Sequence, residues 1–258
     1  MPRADQAPRG VAHRHRGRGP RRLGRQARDP GRVRGLLPPE PAAGGRAVSR
    51  RAVVGPDGAL SPADAAAVAA AAAAGELVVF PTDTVYGVGT SALALGTFEK
   101  VYAAKGRDPR KPLPVLVESL DSARRWADFG PAAEALARRF WPGALTLVLR
   151  PSAEGRRLLS PGADTVALRV PDHAALRALI AASGAPWAST SANRAGEPAA
   201  ADAGAAGAPF TETAAWVVDG GRAGGTESSV VDATGPEPVV LREGALTRAA
   251  LEAAVAVR

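Results

Sequence analysis

Five short polar clusters punctuate the chain where predicted strands and helices end. Hydroxyl groups and glycines dominate the first and fourth, whereas cations dominate the second. Small donors beside approachable backbone, together with cations, suit the binding of small anionic molecules. Open α/β sheets usually place ligands at strand ends. The clusters lie at 81–89 (PTDTVYGVG), 105–112 (KGRDPRKP), 164–171 (DTVALRVP), 189–196 (STSANRAG) and 227–232 (ESSVVD) with 241–244 (LREG).

The second cluster places four cations within seven residues, Lys105, Arg107, Arg110 and Lys111, directly after a predicted helix. Arginine offers a planar fork and lysine a compact charge, so the group suits a polyanion such as a triphosphate. A solvated surface loop would show the same run of charge. The chain contains no glycine-rich run that ends in Gly-Lys-Ser or Gly-Lys-Thr, which disfavours conventional P-loop chemistry.

The third cluster reads as a strand with one polar face. Because alternate side chains of a strand share a face, Thr165, Ala167 and Arg169 point together, and the apolar residues between them point the other way. An arginine on a strand built to be buried needs an anionic partner. Both a substrate carboxylate and a structural ion pair with an acidic side chain meet that need.

The fourth cluster predicts a row of small polar side chains. Alternation puts Ser189, Ser191 and Asn193 on one side of the chain. Serine catalysis is not the natural interpretation, because a nucleophilic serine needs a base. His173, which begins a predicted helix, looks like a capping residue instead. The chain has no cysteine, which excludes disulfides, thiolate zinc sites and thiol nucleophiles.

The positive charge is confined to one end of the 258-residue chain. The formal net charge is +8, yet residues 1–51 alone carry +11 and the remainder is slightly acidic. This tail is rich in Arg, Pro and Gly and has no apolar periodicity, so we predict that 1–51 is disordered. It could contact RNA through phosphates, or it could be an unselected extension.

Residues 52–258 have the pattern of an α/β domain with a twisted mixed sheet. Ser61, Pro62 and Asp64 mark a helix start, and Gly75 marks its end. We expect a flexible loop at 199–209, a cytoplasmic location and no membrane span. Further helices are predicted at 97–104, 122–128, 132–140, 174–182 and 248–255, and strands at 77–80, 115–117, 145–149, 165–170, 187–189, 216–218, 229–232 and 239–241.

Taken in this order, the motifs resemble those of the YrdC-like threonylcarbamoyl-adenylate synthase family. The resemblance implies a twisted mixed sheet with flanking helices around a basic cavity. It also implies a nucleotidyltransferase that makes threonylcarbamoyl-AMP and pyrophosphate from L-threonine, bicarbonate and ATP. Mg²⁺ would arrive with ATP, without dedicated protein ligands, and tRNA threonylcarbamoyl transferase machinery would take the product. The motifs are those at 81–87, 105–107, 141–146, 164–169, 191–193, 227–228 and 241–242.

The resemblance assigns roles to individual residues. Lys105 and Arg107 would be the catalytic pair, because they neutralise phosphate charge. The residues assigned to ATP are Lys105, Arg107, Lys111, Thr165, Ser191, Asn193 and Arg242. Those assigned to L-threonine are Thr84, Arg169, Ser189 and Ser228.

Three departures from the family pattern bear on substrate preference. Lys111 stands where many members have Asn, Leu116 where many have His, and Ala199 where Ser is common. Leu116 cannot hydrogen-bond an amino acid. The main alternative is a relative that binds RNA, including double-stranded RNA, or nucleotides and performs no such chemistry. Two separate arginine sites and few aromatic residues favour the enzyme, since RNA readers usually add stacking aromatics.

Overall fold

The computed structural model describes residues 49–255, and the predicted disorder of 1–48 lies outside that range. The fold is a mixed α/β architecture with a central sheet and flanking helices, as expected. The strands are β1 Arg50–Val53, β2 Leu77–Phe80, β3 Gly87–Ser91, β4 Val115–Leu116, β5 Ala127–Asp128, β6 Leu145–Pro151, β7 Val166–Arg169, β8 Trp187–Ser191, β9 Ala214–Asp219, β10 Ser229–Asp232 and β11 Val239–Arg242.

Six of the seven described helices, all except α6, occupy the positions that capping and periodicity predict, to within a few residues. Ser61 accepts from the amide of Asp64 at 3.1 Å, and Gly75 ends the first helix with φ 79°. His173 caps its helix through Nδ1, as expected from its position. The helices are α1 Pro62–Ala73, α2 Thr97–Lys105, α3 Leu120–Trp126, α4 Pro131–Phe140, α5 Ala174–Ser183, α6 Ala203–Gly207 and α7 Arg248–Glu252.

Ten strands form one path in the order β1-β9-β2-β3-β8-β4-β7-β6-β10-β11, and β5 pairs with β6 beside that path. The sheet contains both parallel pairs, such as β4–β7 and β6–β10, and antiparallel pairs, such as β3–β8 and β6–β7. The mixture sends several strand ends, with their polar clusters, toward one region of the sheet. Strands far apart in sequence therefore share one binding region.

Apolar packing covers both faces of the sheet. On one face, α1 and α5 bury their alanines, valine and leucines against β2 and β8, where Phe80 and Trp187 meet edge to face at 5.3 Å. The larger core on the other face includes Val101 of α2, Leu136 of α4 and Leu147 of β6. Among the described helices, none is both long and apolar enough to cross a bilayer.

Two boundaries differ from the prediction. Arg50 and Arg51, assigned to the tail, lie in β1, which pairs in parallel with β9 and is held by an ion pair between Arg51 and Asp219. The predicted flexible loop at 199–209 contains α6, whose first turn is capped by Asp202. Both elements are short and rich in alanine or arginine, so neither shows a clear periodic pattern of apolar residues.

The glycine-containing segment after β2 is a central strand. The sequence analysis gives 81–89 as a polar cluster and predicts no strand there, yet β3 pairs with β2 on one side and β8 on the other. A Cβ on Gly89 would lie 2.2 Å from the carbonyl oxygen of Ala188, so the close approach of β8 requires glycine. Residue propensities do not predict β3, because glycine is depleted in strands. Here glycine is needed, since a neighbouring strand packs where a side chain would lie.

We predict that Ala52→Asp destabilises the protein, because Ala52 is 1% exposed in the core beneath α1. An unpaired buried carboxylate should cost about 3 kcal/mol and lower Tm by roughly 6–12 °C. Val53→Asp is the matched control, since Val53 follows Ala52 in the same strand but is 59% exposed. Thermal melts of both variants test the assignment of β1, and equal Tm values would refute it.

Candidate functional site

The polar clusters converge on one cavity of about 570 Å³. That volume lies within the range of small-molecule sites, about 300–1,000 Å³. Its walls come from the turn after β2 and from strands β4, β6, β7, β8, β10 and β11. Three arginines from distant parts of the chain face it together with three carboxylates. The residues assigned from sequence that line it are Thr84, Arg107, Thr165, Arg169, Ser189, Ser191, Ser228 and Arg242.

Arg169 is the most deeply buried of the three arginines. Its side chain is 7% exposed, and it forms an ion pair of 2.6 Å with Asp83. Its Nε donates to the carbonyl of Gly143 at 2.9 Å, and its Nη1 donates to Thr84 Oγ1 at 2.8 Å. Burial lowers the pKa of Arg169, and Asp83 opposes that shift. The structural ion pair, one of the two alternatives for this arginine, is thus present, while Arg169 also faces the cavity.

The hydroxyl groups of Thr82 and Thr84 are hydrogen-bonded to each other beside Arg169. Thr82 Oγ1 donates to the carbonyl of Val85 at 2.6 Å and accepts the amide of Thr84 at 3.0 Å. The one hydroxyl proton of Thr82 is donated to the carbonyl of Val85. The Thr84 hydroxyl is therefore the donor in its 2.9 Å hydrogen bond to Thr82 Oγ1. Thr84 therefore presents lone pairs, one of them to Arg169. Asp83, between the two threonines, also accepts the amide of Asp172 at 3.1 Å.

Lys105 stands behind the cavity wall instead of projecting into it. Its Nζ donates to three acceptors at 2.7 Å each, the carbonyl and hydroxyl of Ser191 and Oδ1 of Asn193. Burial, with a smaller contribution from Arg107, lowers the pKa of Lys105 to about 8. All three ammonium protons are used, so Lys105 fixes Ser191 and Asn193 while adding positive charge close to the cavity.

Arg107 is aimed by the loop that follows α2. Its Nε donates to the carbonyl of Lys111 at 3.3 Å, and its Nη2 donates to that of Pro112 at 3.2 Å. Burial lowers the pKa of Arg107, and Tyr102, Glu227 and Asp108 only partly offset this. The side chain of Lys111 is exposed and lies outside the cavity lining. The loop thus delivers one of its cations to the cavity.

Arg242 ends β11 and lines the same cavity as Arg107. Its Nε and Nη2 donate to the carbonyl of Ser228 at 3.2 and 2.8 Å, and its Nη1 lies 2.6 Å from Glu227 Oε2. The Ser228 hydroxyl is 2.9 Å from Thr146 Oγ1. These contacts hold Arg242 and Ser228 together where the beginning of β10 lies beside the end of β11.

Several residues of the site carried no role in the sequence analysis. Asp83 and Glu227 lie inside quoted motifs, and each pairs with an arginine to which we assigned a ligand. The need of a buried arginine for an anion was the signal that could have found Asp83. Leu116 does line the cavity, whereas Ala199 lines a separate depression with Asn193.

The site has the means for charge neutralisation and alignment. Cations and hydroxyls line the cavity, and His173, the one histidine in the described part, caps α5 with a pKa lowered by burial. Within residues 49–255, no three His, Cys, Asp or Glu side chains group as a metal site. The arrangement suits a reaction between small anionic molecules that aligned cations accelerate.

Comparisons with known proteins agree with the motifs. A family model named for Sua5, YciO and YrdC, and described as telomere recombination, matches residues 70–244. The threonylcarbamoyl-AMP synthase of Bacillus subtilis is 41% identical over 186 residues, which cover 70% of this chain and 53% of the relative. That of Pyrococcus abyssi is 42% identical over 174 residues, 67% of this chain and 51% of the relative. The chain thus spans about half the length of these two proteins.

Solved structures show the same likeness. The structure of P. abyssi Sua5 complexed with L-threonine superposes with a TM-score of 0.74 and 35% identity, and it covers 82% of this chain and 62% of the other. Escherichia coli YciO gives a TM-score of 0.70 and 25% identity, over 76% of this chain and 96% of the other. The shared fold and the match over 70–244 place this chain in the Sua5–YciO–YrdC family.

Proposed function

We propose that this protein is a threonylcarbamoyl-AMP synthase, a nucleotidyltransferase that consumes L-threonine, bicarbonate and ATP. The observation that carries the proposal is the convergence of Arg107, Arg169 and Arg242 on one cavity. Relatives of that name in B. subtilis and P. abyssi, and a related structure with L-threonine, support it. Its product would supply a tRNA threonylcarbamoyl transferase system.

The reaction needs alignment more than a protein nucleophile. The amine of threonine takes up carbon dioxide, derived from bicarbonate, to form a carbamate. A carbamate oxygen then bonds to the α-phosphorus of ATP, and the bond from that phosphorus to the bridging oxygen breaks to release pyrophosphate. Both reactants are anionic, so fixed cations lower the barrier by neutralising charge as the new bond forms.

The threonine side of the cavity would be the wall formed by β7 and the turn after β2. In this proposal Arg169 binds the amino-acid carboxylate with the N–H donors that Asp83, Gly143 and Thr84 do not occupy. Thr84, Ser189 and Ser228 orient the amine, hydroxyl and carbamate. The lone pairs that Thr84 presents favour a donor such as an ammonium or hydroxyl group.

The nucleotide side would be the wall that carries Arg107 and Arg242, with Thr165 and Ser191 beside them. Lys105 and Asn193 support Ser191 from behind, so their contribution is position and charge. Mg²⁺ would enter as the complex with ATP and screen its phosphates. The side chain of Lys111 is exposed and outside the cavity lining, so it would interact with the phosphates only through its charge.

Phe80, Leu116 and Val148 give the cavity an apolar section. We propose that this section contacts the methyl group of threonine.

RNA contact, including contact with double-stranded RNA, and a cytoplasmic location remain hypotheses from the sequence.

We predict that purified protein releases pyrophosphate from ATP only when both L-threonine and bicarbonate are present. The reason is that the carbamate, which needs both, is the attacking group. A pyrophosphate assay with each component omitted in turn measures this. Release without threonine, or none from folded protein with all three present, would contradict the proposal and favour a binding protein.

We predict that Arg107→Ala lowers kcat/KM by about 10²–10³-fold, the usual effect of losing one transition-state donor. Arg110→Ala is the matched control, because Arg110 lies in the same loop, is exposed and pairs with Asp108. Its kcat/KM should stay within about twofold. Thermal melts check folding, and similar activity of the two variants would remove Arg107 from the phosphate site.

We predict that affinity for a non-hydrolysable ATP analogue falls above pH 8. Free Lys105 has a pKa of about 8, lowered by burial, and a bound triphosphate favours its charged form. Proton loss from the free protein therefore opposes binding, and Kd should be about tenfold higher at pH 9 than at pH 7.5. Calorimetric titration measures this; Lys105→Arg should flatten the profile, and a flat wild-type profile would contradict it.

A further inference from the structure

Glu227 is a carboxylate in a place where the proposed function needs cations. It lies two residues before β10 and lines the cavity, directly against Arg242. The carboxylate oxygen Oε2 is 2.6 Å from Nη1 of Arg242, a distance typical of a charge-assisted hydrogen bond. A bound polyphosphate would require the same guanidinium.

The influence of Glu227 extends across the cavity. Its negative charge raises the pKa of both Lys105 and Arg107, against the lowering effect of their burial. One carboxylate therefore interacts favourably with all three cations that the proposed function assigns to phosphate. The negative charge of Glu227 therefore interacts with the same cations that a bound phosphate group would contact.

The backbone of Glu227 is fixed, but its side chain is free to turn. The carbonyl of Glu227 accepts the amide of Ala245 at 2.9 Å, and a Cβ on Gly244 would lie 2.3 Å from that carbonyl oxygen. The carboxylate, in contrast, has Arg242 as its single hydrogen-bond partner among the described residues, and its side chain is 43% exposed. Rotation toward solvent would break that one contact.

Arg242 keeps its position without Glu227. Its Nε and Nη2 donate to the carbonyl of Ser228, which is neutral and which a ligand does not displace. Loss of the carboxylate would leave the guanidinium oriented and its Nη1 free for a new acceptor. Orientation and neutralisation of Arg242 therefore come from different groups.

We propose that Glu227 is a displaceable anion that holds the place of a phosphate group and thereby sets affinity and selectivity for polyphosphates. Binding exchanges the Glu227 carboxylate for phosphate oxygens on Arg242. A ligand with several phosphate charges overcomes this competition, whereas a singly charged anion does not. The inference rests on the proposed function, because it takes the cavity to be a nucleotide site.

The test replaces the charge of Glu227 and keeps its shape. In Glu227→Gln the amide oxygen still accepts from Arg242, but the negative charge is gone. Glu243→Gln is the matched control, since it makes the same change in net charge at an exposed position that does not line the cavity. Calorimetric titration with pyrophosphate, a non-hydrolysable ATP analogue and L-threonine gives the three affinities for each protein.

Glu227→Gln should lower Kd for pyrophosphate and for the ATP analogue by about 5–10-fold, the size expected for removing one competing, half-exposed carboxylate. Kd for L-threonine, and all affinities of Glu243→Gln, should stay within about twofold. Unchanged or weaker pyrophosphate binding by Glu227→Gln, with an unaltered melt, overturns the inference and leaves the proposed function standing. Wild-type protein that binds neither phosphate ligand would overturn both.

Discussion

The site depends on keeping several cations close together in a partly desolvated cavity without neutralising all of them. Lys105, Arg107, Arg169 and Arg242 each donate to at least one backbone carbonyl. A carbonyl orients a cation but carries no formal charge. The cations are therefore positioned while much of their field remains available to an anionic ligand, which is the requirement for electrostatic preorganisation.

The two arginines that also have carboxylate partners differ in how firmly they are paired. Asp83 is largely enclosed and accepts from both Arg169 and the amide of Asp172. Glu227 is half exposed, and within residues 49–255 its carboxylate hydrogen-bonds to Arg242 alone. The first pair is part of the architecture, because removing one partner would leave a buried charge uncompensated. The second pair can open when a ligand supplies a better anion.

The mixed sheet makes this arrangement possible. Parallel and antiparallel pairs alternate across β8, β4, β7, β6, β10 and β11, so strand ends from distant parts of the sequence meet at one cavity. Apolar runs and strand periodicity predicted most of the strands, and the resemblance to the family implied the basic cavity at which their ends meet. The alternation of Thr165, Ala167 and Arg169 placed all three on the cavity side.

The sequence did not predict features that depend on tertiary partners. Gly87 and Gly89 give no strand signal, since β3 exists because β2 and β8 enclose it. Lys105 reads as a phosphate ligand, but its ammonium is occupied by Ser191 and Asn193, a contact over more than 80 residues. The boundary at 51 was wrong because β1 is defined by its pairing with β9.

The most direct test of the central claim is a crystal structure with L-threonine and a non-hydrolysable ATP analogue bound together. The account predicts that the phosphates lie within about 3 Å of the guanidinium groups of Arg107 and Arg242, and that the threonine carboxylate contacts Arg169. Ligands bound outside this cavity, or phosphates in contact with none of the three arginines, would contradict it.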